Sequence, residues 1–212
     1  VEHLETMMTM EADRMKNLVL DPKEVDTERL VVLEERSQRT DNNPGSVLRE
    51  HVSGALFLNH RYRRPIIGWE HEIRALNVDD LRAFYDKWYA PANAILVVAG
   101  DITLARLKPM AERTYGKIPA SAAIQRGRPS EPPQKASRQV TLKDARVRQA
   151  SWSRSYLAPS RVTSIAGGAG KEHSYALEVL SNVIGGGATS QIYRSLVVEQ
   201  KLAVSAGVGY GS

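Results

Sequence analysis

Apolar residues recur every third or fourth position through the first 58 residues, and the chain reads there as three helices. In "LETMMTMEADRMKNLVL" the residues Leu4, Met7, Met8, Ala12, Met15 and Leu18 fall on one face. Asp21-Pro22 stops that helix and opens a second over "DTERLVVLEERSQR", because proline is accommodated in a first turn. "DNNPGS" interrupts the pattern, and "SVLREHVSGALFLN" starts a third helix with Ser46 as its cap. "HRYRRPIIG" is expected to be extended, since Arg64 precedes a proline that excludes it from the helical region.

Further along, "NVDDLRAFYDKWYA" is amphipathic, with Asn77 or Asp79 placed to cap it. "NAILVVAGD" is a continuous run of β-formers and alanine closed by glycine. It predicts a central strand buried on both faces, with neighbouring helices packed on one side. "LARLKPMAERTYG" predicts a further helix, with Pro109 near its start and Gly116 as C-cap. From Pro119 to Ser137 periodicity fades and Pro129, Pro132 and Pro133 appear, the composition of a linker. Strands are expected in "RQVTLKDARVRQASWSRSYLAP". The loop "AGGAGK", the helices "KEHSYALEVLSNVI" and "TSQIYRSLVVEQ" joined by "GGGA", and a terminal strand follow. Strands and helices alternate without regular βαβ spacing, so the expected class is α+β: a mixed, mostly antiparallel sheet with helices on one face. The expected divisions are 1–118, a linker at 119–138, and 139–212.

Composition narrows the function classes. At 42% hydrophobic and 25% charged residues, the chain has the make-up of an ordinary globular protein. No apolar run approaches the ~20 residues that span a bilayer. The chain opens on "VEHLETMMTM", without initiator methionine, basic n-region or h-region, and stops inside the alternating "AVSAGVGYGS". It therefore reads as a fragment, with any targeting signal expected upstream. The absence of cysteine excludes disulfides, thiolate zinc sites and a cysteine nucleophile. The net charge of +5 is concentrated between Arg126 and Arg161, where nine Lys/Arg face only Glu131 and Asp144. Only Trp152 and Tyr156 accompany that charge as aromatics, so it reads as a solvated linker and strand face, with no nucleic-acid partner expected.

Several short patterns invite chemistry and do not carry it. "GGAGK" (167–171) lacks the G-x-x-x-x-G-K-[ST] spacing, and Glu172 stands where a phosphate loop needs a hydroxyl. "GGGA" (185–188) reads as a helix C-cap and tight turn, the alternative being a close approach of backbone to a partner peptide. The histidines His3, His51, His60, His71 and His173 form no i, i+4 pair able to chelate a metal. His60 reads as capping or packing a loop, and His71 as part of an exposed charged turn. There is no G-x-S-x-G elbow. What is left is Glu28 and Glu35, seven residues apart. At 100° per residue their side chains come within about 20° of one column. On the residues alone, solvated acids paired with Arg29, Arg36 and Arg39 would account for them.

"TERLVVLEERSQRTDNNP", "LFLNHRYRRPIIGWEHEI", "DDLRAFYDKWYAPANAILVVAGD" and "LSNVIGGGATSQIYRSLVVEQKLAVSA" together resemble the pitrilysin and mitochondrial-processing-peptidase family of zinc metallopeptidases, in its bacterial short-subunit branch. The resemblance covers nearly the whole chain in the family's order. It implies that Glu35 is a Zn2+ ligand, completing a set begun by two histidines of an upstream H-x-x-E-H helix, and that Glu28 hydrogen-bonds one of those histidines in support. A carboxylate is an apt third zinc ligand beside two imidazoles, and an acid on a ligand histidine fixes its tautomer. The H-x-x-E-H segment is absent from these residues. The resemblance places it before Val1, so residues 1–118 correspond to the rear of a first family domain and 139–212 to the front of a second. The family's edge strand for docking extended peptides is missing too, and its later arginine–tyrosine pair would follow Ser212. "GGGATSQIYRSL" matches the short form of a glycine-rich loop and reads as structural. The implied activity is zinc-dependent endopeptidase cleavage of peptides in a closed chamber, in a homodimer or a heterodimer with another family subunit, in a periplasmic setting with a cytoplasmic one as the alternative. The chain alone is expected to be inactive and to hold zinc weakly or not at all. The alternative is a non-catalytic subunit acting as scaffold or substrate binder; retention of both glutamates favours the enzyme.

Overall fold

In the computed structural model, residues 2–121, 124–127, 129–163 and 170–211 are described. Among these residues eight α-helices run in order: α1 (Leu4–Asn17), α2 (Pro22–Arg36), α3 (Pro44–Leu56), α4 (Glu70–Ala75), α5 (Val78–Trp88), α6 (Leu104–Arg113), α7 (Ser174–Gly185) and the short α8 (Gln191–Tyr193). The chain divides into two units, Val1–Ser46 with Pro65–Arg128, and Val47–Arg64 with Pro129–Ser212.

Local signals set the helix starts. Asp21 accepts from the Lys23 N–H at 2.7 Å ahead of Pro22, and Asn77 forms a reciprocal capping box with Asp80. The third helix begins at Pro44 rather than at the expected Ser46. The Asn43 side chain accepts from the Ser46 N–H at 3.1 Å, so the asparagine before the proline caps the helix from outside. Pro109 lies inside α6, and that helix ends at Thr114, whose hydroxyl donates to the Met110 carbonyl at 2.8 Å, instead of at Gly116. Past α2 the backbone continues as a π-helical stretch, Ser37–Asp41, and a second such stretch, Arg194–Glu199, follows α8.

The α+β expectation is corrected. No β-strand forms among the described residues, which carry helices joined by extended segments. Residues 94–99 are extended but unladdered, with Ile95 90% and Val97 82% exposed, so the expected central strand buried on both faces is not made. The segment expected to hold paired strands, 138–159, is extended around a turn at 145–146, and 205–211 is likewise unpaired. β-branched runs favour an extended backbone, whereas a strand also needs a neighbour to take its N–H and C=O groups.

In the first unit α1 packs on α6 and α2 on α4. Its buried apolar residues are Met8, Ala12, Val25, Ile73, Tyr85 and Ala90. Tyr85 ties α5 to the end of α1, its hydroxyl donating to the Arg14 carbonyl at 2.9 Å and accepting from the Leu18 N–H at 3.2 Å. Arg113 of α6 clamps the Glu5 carboxylate of α1 at 2.8 and 3.1 Å.

In the second unit α7 contacts α8, and Tyr210 donates its hydroxyl to the buried Pro159 carbonyl. Gly186 caps α7 and Gly187 has φ +145°, as expected for the "GGGA" turn. Gly185 is needed for a different reason. A Cβ there would lie 2.1 Å from the Val208 backbone nitrogen, so the close approach is to the chain's own backbone. Gly185→Ala is expected to cost about 1–2 kcal/mol by overpacking, read as a lower denaturation midpoint at unchanged slope. An unchanged midpoint would mean that Val208 moves aside freely.

Candidate functional site

Helix α2 turns two unlike faces in opposite directions. Val25 and Arg36 are buried and Arg29, Val32 and Leu33 half-buried, an i, i+4, i+7, i+8, i+11 series that makes the inner face. On the outer face Leu30 is 62% and Val31 55% exposed. These two, with Thr27, Glu34, Glu35, Gln38 and Arg39, line a shallow groove, open to solvent, along this one helical segment. Glu34 and Glu35 thus stand on the outer side of an apolar-rich helix whose inner side is secured elsewhere, and Glu28 stands at the border, one turn before half-buried Val32.

The securing residue is Arg36, the only basic side chain among the buried residues described, at 5% exposure. Its Nη1 donates to the Gly68 carbonyl at 2.7 Å, and its Nη2 meets the Asp41 carboxylate at 3.2 Å. It therefore holds the end of α2 against the Gly68 turn and clamps the π-helical stretch from within. Arg29 adds a second tie, donating to the Leu76 carbonyl at 2.6 Å while pairing with Asp26 at 2.9 Å.

Glu35 lines the groove half-exposed, its Oε1 2.9 Å from Arg39 Nη2 one turn on. Glu28 lies two turns earlier, exposed and outside the groove lining. Of the arginines read as partners for the two acids, Arg39 pairs with Glu35, while Arg29 pairs with Asp26 and Arg36 with Asp41. An exposed i, i+4 pair is worth about 0.3–0.5 kcal/mol, too little to keep Glu35 from a stronger cation.

A catalytic zinc needs three protein donors. Among the described residues no group of three or more His, Asp or Glu side chains is gathered in a way that could hold a metal ion. The described residues therefore do not compose a zinc site. His60 caps the turn Arg61–Arg63, its Nδ1 accepting from the Tyr62 N–H at 3.3 Å, and stacks edge-on with Tyr62 at 4.4 Å. His71 is exposed on α4.

In the basic run, Arg146 grips Asp144 at 2.9 and 2.6 Å; that side-chain bond, with a backbone one from Arg146, lowers the Asp144 carboxyl to about 2. Arg154 lies over the exposed Trp152 ring, 5.5 Å from its centroid. Residues 167–169 of "GGAGK" lie outside the described residues. No helix among those described is long and apolar enough to cross a membrane.

Sequence reasoning treated Arg36 as a surface partner for the glutamates. The signal that finds it is its register with Val25, Val32 and Leu33, a cation on the apolar stripe.

Residues 75–212 match the family described as the peptidase M16 inactive domain. An uncharacterised zinc protease of Mycobacterium leprae is 28% identical over 95% of this chain and 44% of its own length. The zinc protease PqqE of Helicobacter pylori is 27% identical over 96% of this chain and 45% of its own length. The crystal structure of a protease from Helicobacter pylori superposes with a TM-score of 0.67 at 25% identity, covering 97% of this chain and 48% of that one. The chain thus spans somewhat less than half the length of these relatives. Glu28 and Glu35 lie outside the span matched to the inactive domain.

Proposed function

Because the chain belongs to the peptidase M16 family, we propose that it forms part of a zinc-dependent endopeptidase that hydrolyses peptides within a closed chamber. Its relatives carry the name zinc protease, which supports protease chemistry and Zn2+ for the intact family member. The observation that carries the reading onto these residues is the outward face of α2, where Glu35 lines an open groove while the helix is anchored from behind by Arg36. In this proposal Glu35 is one carboxylate donor to zinc and Glu28 the acid that orients a ligand histidine. The remaining donors come from outside the described residues. Residues 75–212, matched to an inactive domain, serve as wall and partner surface rather than as reacting groups.

The second reading, a non-catalytic subunit that scaffolds or binds substrate, draws support from that same match. Peptides are the substrate class in the first reading. Pairing with a second copy or another family subunit, and a periplasmic setting, belong to the proposal as well.

Titrating the 212-residue chain with zinc by calorimetry, beside a peptide-cleavage assay, tests the division of labour. Binding no tighter than about micromolar and no cleavage are expected, since one ligand of three is present. Submicromolar binding that Glu35→Gln abolishes would show a site complete within this chain and overturn the proposal that donors come from elsewhere. Reading the coding sequence upstream of Val1 separates the two functions. An intact H-x-x-E-H is expected of the enzyme, and a degraded one leaves the scaffold.

A further inference from the structure

The loop that follows α3 turns three successive amides toward one point. The N–H of Leu58 donates to Glu131 Oε1 at 2.6 Å, and those of Asn59 and His60 donate to Oε2 at 2.9 and 2.7 Å. Consecutive amides that converge in this way form a concavity selective for anions, and here its occupant is a side chain 71–73 residues along the chain.

Four neighbouring bonds fix the same stretch. Gln134 Nε2 donates to Glu131 Oε1 at 2.8 Å, and Asn59 Nδ2 donates to the Ser130 carbonyl at 3.1 Å. Arg138 Nη1 donates to the Ala55 carbonyl at 2.8 Å and to Gln134 Oε1 at 2.5 Å. All of these residues lie within the second unit. The receiving loop is stiffened in turn, with Arg63 donating to the Leu58 carbonyl at 2.9 Å and Phe57, His60 and Tyr62 in mutual ring contact.

Burial pushes the Glu131 carboxyl up, and the backbone bonds from His60, Leu58 and Asn59 outweigh it, so its titration is lowered on balance. The acid is ionised at neutral pH, where bonds to a carboxylate are roughly twice as strong as neutral ones.

We propose that Ser130–Arg138 is a strap, fastened by the Glu131 carboxylate in the amide cradle of Leu58–His60. Composition alone reads the whole stretch as linker, because Pro132 and Pro133 and the polar residues around them offer no apolar stripe to bury. Fastening by one acid needs no such stripe. Pro132 and Pro133 assist by stiffening the chain just after the anchor.

Hydrogen exchange on the 212-residue chain, with limited trypsin digestion, tests the strap in Glu131→Ala and Glu131→Gln. In Glu131→Ala the amides of Leu58, Asn59 and His60 are expected to exchange at least ~10-fold faster, as local opening becomes easier. Cleavage after Lys135 and Arg138 should accelerate, with helical circular dichroism unchanged. Glu131→Gln keeps one acceptor oxygen without the charge and should fall between. Should the alanine variant lose its helical signal, the glutamine variant carries the test. Wild-type protection at the three amides in a natively helical variant would overturn the strap. So would a uniform rise across α3 and α7, which would make Glu131 a support of the whole unit.

Discussion

Arg36→Ala is expected to destabilise the first unit by about 3 kcal/mol, near the lower end of what breaking a buried ion pair costs. Two bonds disappear together: the 2.7 Å donation to the Gly68 carbonyl and the 3.2 Å contact with Asp41. Asp41 is 38% exposed and regains water, which keeps the penalty from the top of the range. The Gly68 carbonyl loses its guanidinium donor, and the long buried stem leaves a void between α2 and the turn. Arg36→Met retains most of the volume without the donors and should recover part of the loss. Arg39→Ala removes an exposed arginine three residues on and is expected to change stability by less than about 0.5 kcal/mol. Urea unfolding followed by circular dichroism measures all three. Equal midpoints for Arg36→Ala and Arg39→Ala would refute the assignment of an inner and an outer face to α2.

That contrast marks what was legible in the residues. Helix positions were readable because their determinants sit within four residues of each other. Asp21 before Pro22, and Asn77 as one of two candidate caps, announce their helices locally, and the structure makes both caps, Asn77 in a reciprocal box with Asp80. Ser46 misled for the same reason: a hydroxyl cap was sought inside a helix that Asn43 caps from before Pro44. The strands were misread because Ile95 to Val98 state a backbone preference and nothing in their order names a partner. The two glutamates were legible as sharing a column, yet the period does not say which side of that column meets the unit. Arg36 decides it, through a glycine carbonyl 32 residues away. Glu131 was hidden likewise, since its three backbone donors lie more than 70 residues earlier.

Glu35→Gln, in a protein that carries this chain with the remaining length of its relatives, is expected to weaken zinc binding by more than ~100-fold, and peptide cleavage should fall with it. An amide oxygen replaces a charged donor in a three-ligand set. Glu28→Gln should cost roughly 10–100-fold in metal affinity, the usual range for a group that orients a ligand rather than binding the ion. Glu34→Gln is the internal control. It lines the same groove beside Glu35, but at 100° around the helix from it, and should leave both readouts unchanged. Arg39→Gln sharpens the test. Releasing Glu35 from a 2.9 Å exposed pair should strengthen zinc binding by no more than about 2-fold, the equivalent of 0.3–0.5 kcal/mol. All four substitutions fall at exposed or half-exposed positions of α2 or its continuation, so native circular dichroism is expected throughout. Zinc affinity by chelator competition then separates a ligand from a surface acid without reference to turnover. A Glu35→Gln protein that keeps wild-type zinc affinity would leave Glu35 a solvated partner of Arg39, and would move the proposal to the scaffold reading.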